Sequence, residues 1–209
     1  MGKEHRMSKE QNHRAHSSGP SEPRPCVRTL SAFPKLIVVL MTVLIAYGAD
    51  QGTKYLVETT MTLGEKIPVV PGAIRWYYIL NSGAAFSLGT GYTMVFTLMM
   101  VVAVLVCLWC LVRAQSTVWV FSLALLLGGV LGNLTDRLLR PPGFGVGHVV
   151  DFISIGNFAI FNIADSCICI AMALIVLQNF RSIRLDGTYD YSQKKNSHTI
   201  EQESHESNA

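Results

Sequence analysis

Four runs of about 20 mostly apolar residues dominate this chain, and a helix of that length matches the roughly 30 Å hydrocarbon core of a bilayer. They extend from Pro34 to Val57, Thr93 to Val112, Val118 to Arg137 and Ile160 to Phe180. Pro34 suits a first helical turn, where its missing N–H is no loss. Half of the 209 residues are hydrophobic and 15% are charged, a balance too apolar for an ordinary soluble domain. Residues 1 to 33 and 181 to 209 hold most of the Lys, Arg, Glu and His, and read as solvated, disordered tails around a transmembrane domain at 34 to 180. Arg28 precedes the first apolar run, but no small-residue cleavage site closes that run, so it reads as a retained anchor and not a signal peptide.

Lys and Arg placement sets the expected orientation. The N-terminal tail through Lys35, the short loop at Arg113 and the C-terminal tail hold twelve of the seventeen Lys and Arg, which puts both tails in the cytoplasm. Segments 58 to 92 and 138 to 159 then face outward. Within the first of these, Ile74 to Leu80 is rich in aromatic and β-branched residues and reads as part of a short surface strand system. The fold expected is an all-α membrane protein of four transmembrane helices with a small outward-facing β-sheet cradle. Cys107 and Cys110 have the spacing of a redox or zinc pair, yet lie in an apolar stretch without further ligands and read as packing residues. The net charge of +3 comes from the tails and gives no indication of nucleic acid.

Carboxylates are scarce where the chain is apolar. Between Lys66 and Asp186 there is no glutamate, and the only aspartates are Asp136, Asp151 and Asp165. An ionisable group at membrane depth is costly and marks a functional site by default. The expected topology gathers these residues near the outer interface. Asn133, Asp136 and Arg137 form one helical stripe, Asn162 and Asp165 a second, and Asp50 and Lys54 pair four residues apart at the end of the first span. Two neighbouring carboxylates in a site of restricted hydration cannot readily both ionise, so Asp151 and Asp165 suit acid–base hydrolysis of an amide. The plainer alternative makes both of them structural caps, but Asp165 is expected a full turn inside its helix. Asp136 reads equally as support or chemistry, Arg137 as a ligand of head groups or substrate carbonyls, and Asp50 with Lys54 as a plain ion pair. Gly128 and Gly132 form a small-xxx-small pattern of close helix packing. His148 reads as an ordinary loop histidine. A coupled transporter would also use intramembrane Asp, Asn and Arg, but it predicts carboxylates near mid-membrane and repeated halves.

In order along the chain, five motifs resemble the lipoprotein signal peptidase (signal peptidase II) family. They are Asp50-Gln51-Gly52-Thr53-Lys54, Asn81-Ser82-Gly83-Ala84-Ala85-Phe86, the run from Gly128 to Arg137, Val149-Val150-Asp151-Phe152 and Phe161-Asn162-Ile163-Ala164-Asp165. The resemblance covers about residues 34 to 180. It implies an aspartic endopeptidase of the bacterial inner membrane that cuts prolipoproteins before a diacylglyceryl-modified cysteine, with membrane lipid as its other partner and no metal or cofactor. It further implies that Asp151 and Asp165 are the catalytic dyad, and that Asp50, Lys54, Asn81, Gly128, Asn133, Asp136, Arg137 and Asn162 support the site or contact substrate. The chain departs from the family in its longer tails, in Val130 where alanine is common, and in a short 152 to 160 segment where a lid often lies.

Overall fold

A computed structural model describes residues 27–83, 92–156 and 160–189. The expected tails at 1–26 and 190–209, Ala84-Ala85-Phe86 of the second motif, and positions 157–159 of the short segment lie outside the described residues. Four long helices carry the apolar runs: α1 (Ala32–Thr60), α2 (Thr93–Arg113), α3 (Thr117–Leu139) and α4 (Ile163–Phe180). All four are long and apolar enough to cross a membrane. They are accompanied by one antiparallel sheet of β1 (Lys66–Val70), β2 (Ile74–Asn81), β3 (Val149–Ile155) and β4 (Ile160–Phe161), in that spatial order. Four helices and a small sheet agree with the sequence expectation.

Helix α3 is the centre of the bundle, packed against α1, α2 and α4. Two-thirds of its apolar window is buried, whereas α1, α2 and α4 keep Leu40, Leu44, Leu98, Leu105, Ile170 and Val176 exposed. Large aliphatic side chains on the outside of a bundle are stable against lipid tails, so helix association has to come from close backbone approach. Glycines on α3 provide it. A Cβ at Gly128 would sit 2.8 Å from the Ala46 Cβ of α1, and one at Gly129 would sit 2.7 Å from the Ala164 carbonyl oxygen of α4. Gly129→Ala therefore forces α3 and α4 apart and is expected to destabilise the protein by about 1–3 kcal/mol. Thermal unfolding in detergent measures that cost.

The sheet forms where the sequence stops being uniformly apolar. In β2 the run from Ile74 to Asn81 is β-branched and aromatic, and Pro68 falls in β1, an edge strand that tolerates the loss of a donor. Strand β2 pairs with β3, with a register shift between Trp76 and Ile79 that sets Ile79 opposite Asp151 and Asn81 opposite Val149. Arg75 adds a side-chain clasp across the same pair, donating to Ser154 Oγ at 3.1 Å and to the Gly156 carbonyl at 2.8 Å.

Three elements differ from expectation. The fourth span begins at Ile163 and not at Ile160, because Ile160 and Phe161 are paired with Ser154 and Ile153 as β4. The first helix runs to Thr60, so Asp50 and Lys54 lie well inside it and are fully buried. Residues 27–31 and 181–189, assigned from polarity to the tails, are folded against the end of the bundle away from the sheet. Thr29 bridges Ser116, the Leu30 N–H donates to Gln115 O at 2.8 Å, and Trp119 Nε1 donates to Ile183 O at 3.0 Å. Val27, Leu30, Ile183 and Leu185 are the physical reason: isolated apolar residues in polar surroundings, packed on the cluster that includes buried Cys107 and half-buried Cys110.

Candidate active site

At the sheet-bearing end of the bundle, β3 and the start of α4 bring Asp151 and Asp165 to one polar cluster. Asp151 is buried in mid-strand; its Oδ1 accepts from Asn162 Nδ2 at 2.7 Å and its Oδ2 from Asn81 Nδ2 at 2.9 Å. Asp165 is half-buried; its Oδ1 accepts from Asn133 Nδ2 at 2.8 Å and its Oδ2 from the Asn162 N–H at 3.2 Å. Asn162 connects the two. Its backbone is extended at the N-cap of α4, and its Oδ1 accepts the Asp165 N–H at 2.9 Å, forming a reciprocal capping box. Asp165 is thus in the first turn and does cap its helix, contrary to the expectation that it lies a full turn inside. The strand pairing of Ile160 and Phe161 moved the helix start by three residues. A cap needs only one carboxylate oxygen, however, and the other remains directed at Asn133.

Behind the two aspartates lies a buried ionic group. Lys54 Nζ is 2.7 Å from Asp50 Oδ2 and 2.7 Å from Asp136 Oδ2, and it donates to Asn133 Oδ1 at 3.0 Å. All three charged side chains are fully buried. Asp50 Oδ1 accepts the Ala164 N–H at 2.9 Å, one of the unpaired donors at the start of α4. Asp50 and Lys54 are therefore more than an isolated pair; they lock α1 to α3 and to the turn that carries Asp165. Asp136 braces this group and accepts the Val150 N–H at 3.3 Å, next to Asp151.

Arg137 lies beside the cluster and donates to backbone carbonyls of the neighbouring loops. Its Nη1 donates to Asn81 O at 3.1 Å and to Gly147 O at 2.9 Å, and its Nη2 donates to Gly83 O. With 1% of its surface exposed, it clamps the loops that carry Asn81, Gly83 and Gly147. Burial turns both terminal nitrogens of the guanidinium onto backbone carbonyls, with Asp136 and Asp151 close enough to act through charge. Asn81, with its carbonyl held by Arg137 and its Oδ1 accepting the Gly83 N–H at 2.9 Å, is fixed to donate its Nδ2 to Asp151. Gly128 lets α3 approach α1 at Ala46 and Val43. His148 enters only through its backbone N–H, which donates to Pro141 O at 3.0 Å.

Sequence reasoning missed Gln51, Glu58 and Arg140 as site residues, and read Gly132 as a packing glycine without its contact to Asp50. Gln51 Nε2 donates to Gly132 O at 3.0 Å and to Asp136 Oδ1 at 3.2 Å, and a Cβ at Gly132 would land on Asp50 Oδ2. Arg140 Nε donates to Asp136 Oδ1 at 2.8 Å while its Nη1 pairs with Glu58. The signal available was spacing, since Glu58 follows Lys54 by four residues and Arg140 follows Asp136 by four.

Burial, and next the Asp165 carboxylate, push the Asp151 carboxyl up to about 7, against the opposing hydrogen bonds of Asn81 and Asn162. A carboxyl raised in the folded state contributes stability that is full below the ordinary carboxylate range and lost as pH rises through about 7. Asp151→Asn removes that dependence. Its melting point is expected to exceed wild type by about 5 °C at pH 8 and to converge with it at pH 4, read by thermal unfolding in detergent at the two pH values.

This geometry has relatives. Residues 41–181 match the family model described as signal peptidase (SPase) II. A lipoprotein signal peptidase of Leifsonia xyli is 44% identical over 161 residues, spanning 77% of this chain and 74% of that protein. One from Mycobacterium avium is 39% identical over 163 residues, spanning 77% and 90%. Among solved structures, a bacterial membrane enzyme determined by the in meso method superposes with a TM-score of 0.63 at 28% identity, covering 75% of this chain and 93% of that one. With four apolar helices, a sheet-borne and a helix-borne aspartate, and a family match over most of its length, this multi-pass membrane chain belongs to the signal peptidase II family.

Proposed function

We propose that this protein is an aspartic endopeptidase that removes the signal peptide from prolipoproteins by cutting just before a diacylglyceryl-modified cysteine. The observation that carries the reading is Asn162: one side chain donates to Asp151 and caps the turn of Asp165, so the two carboxylates are held in a fixed relation from separate elements. Family membership supplies the substrate class.

The two carboxylates have unequal surroundings, which suits unequal roles. Asp151, buried and raised to about 7, keeps its proton near neutrality and donates it to the scissile carbonyl. Asp165, more open, is the ionised member that takes a proton from the attacking water. The gem-diol collapses as Asp165 passes the proton taken from water to the leaving amine of the lipidated cysteine, and Asp151 recovers its proton from the hydroxyl that becomes the new carboxyl group. Water is the nucleophile, and no covalent intermediate or metal takes part. Lys54, Asn133 and Asn162 hold the dyad in place; Asn81 orients Asp151, and Arg137 holds Asn81.

In this reading the domain comprises the four helices and the sheet together with residues 27–31 and 181–189 packed on the bundle, in the bacterial inner membrane with both termini cytoplasmic. The sheet and the dyad lie near the outer face, where the substrate's lipid remains in the outer leaflet. The test is purified protein in detergent with two forms of one prolipoprotein, with and without diacylglycerol on the cysteine. Mass spectrometry should find a cut immediately before the cysteine in the lipidated form only. Equal cutting of both forms, or cutting elsewhere, would refute the substrate assignment.

A further inference from the structure

Two charged residues with no part in that chemistry complete a chain of polar contacts reaching from the protein surface to the dyad. On α1, Asp50, Lys54 and Glu58 are spaced by four and share a face; on α3, Asp136 is followed four residues later by Arg140, the C-cap. Glu58 accepts from Arg140 Nη1, and Arg140 Nε donates to Asp136 Oδ1 at 2.8 Å. Asp136 Oδ2 pairs with Lys54 at 2.7 Å, Lys54 donates to Asn133 Oδ1 at 3.0 Å, and Asn133 Nδ2 donates to Asp165 Oδ1 at 2.8 Å. The outer pair is partly solvated, with side-chain exposures of 20% for Arg140 and 29% for Glu58, while Asp136 and Lys54 are fully buried.

We propose that Glu58 and Arg140 are positioning residues of the active site, an ion pair at the surface that fixes Asp136 and through it the charge and orientation of both dyad aspartates. The inference rests on the peptidase reading above. Asp136 is the branch point. Its carboxylate accepts from four donors: Arg140 Nε and Gln51 Nε2 on Oδ1, Lys54 Nζ and the Val150 N–H on Oδ2. One branch passes through Lys54 and Asn133 to Asp165; the other holds Val150, the neighbour of Asp151.

Charge is finely balanced there. Asp50, Asp136 and Glu58 contribute three negative charges against Lys54 and Arg140, so loss of Arg140 adds to the negative charge of the group and loss of Glu58 reduces it. Other charged or titratable groups facing the cluster are Arg137 of α3, Tyr78 of β2, Asp151 of β3, and Asp165 and Cys167 of α4. The Tyr78 phenol is itself pushed up by burial and then by Glu58. In a poorly solvated site an added negative charge makes ionisation of the dyad harder, and its removal makes ionisation easier.

The experiment is the pH–rate profile of full-length protein in detergent on a diacylglyceryl-modified prolipoprotein. Arg140→Gln should move the profile up by about half a pH unit, and Glu58→Gln should move it down by a similar amount. The double variant should return towards the wild-type position, and Arg140→Lys should keep it. A role confined to folding changes the amount of active protein without moving the profile in opposite directions. Unmoved profiles in active single variants would overturn the inference while leaving the peptidase reading intact. Absence of wild-type cleavage would overturn both. Should Arg140→Gln fail to fold, Glu58→Gln alone must still shift the profile downward, or the inference falls.

Discussion

Asparagine at position 151 or 165 is expected to lower cleavage by at least about a thousandfold, since it removes a proton donor or acceptor that the chemical step requires. The surrounding hydrogen bonds limit other effects of either change. Asn162 and Asn81 both donate to Asp151, and an asparagine Oδ1 at that position still accepts one of these bonds. At 165 an asparagine Oδ1 can still receive the Asn133 amide or the N-cap N–H, so α4 keeps its start. Both variants should insert and fold, with activity lost in each. The check is the rate of product formation at matched amounts of monodisperse protein.

Lys54 is where the largest loss of stability is expected. It is a fully buried cation between Asp50 and Asp136, 2.7 Å from each, and no other lysine or arginine replaces it on Asp50 in the described contacts. Lys54→Met leaves Asp50 and Asp136 facing one another without that charge. Breaking a buried ionic group by removing one member costs about 3–5 kcal/mol. The same substitution frees Asn133, which accepts from Lys54 and donates to Asp165, so activity should fall with stability. Unfolding in detergent measures the first effect. A second-site change of Asp50→Asn should recover part of the stability, because Asp50 is the carboxylate left without a cation while Asp136 keeps Arg140.

The sequence made the four spans legible because 20 apolar residues in a row have few other uses. It also grouped Asn133, Asp136 and Arg137 on one helix, since helical spacing alone places them, whereas Asn162 and Asp165 meet through the N-cap and not along a shared helical face. Its failures have physical origins. Ile160 and Phe161 continue the apolar character of α4, and in so short a run nothing separates strand from helix. The Asn162-x-x-Asp165 spacing was a readable N-cap signal that would have fixed the start at Ile163. Arg137 binds backbone carbonyls, which every residue possesses, so its partners could not be read from residue types. The packing of Ile183 and Leu185 beneath Trp119 depends on where the chain turns after α4, which polarity of the surrounding residues concealed.

Glu58 and Arg140 show the same limit from another side. Each has a spacing partner on its own helix, yet the contact between them joins α1 to the end of α3 and exists only once the bundle is assembled. Gln51 is similar: its amide reaches Asp136 on the neighbouring helix. Residues that build a site within one helix were legible, and those that join helices were not.

The most direct test of the central claim follows one diacylglyceryl-modified prolipoprotein by mass spectrometry, with purified wild type and Asp165→Asn side by side in detergent. Wild type should make a single cut immediately before the lipidated cysteine, and the variant should leave the substrate intact. Near-full cleavage by a folded Asp165→Asn protein would contradict the dyad, and intact substrate with folded wild type would contradict the peptidase reading itself.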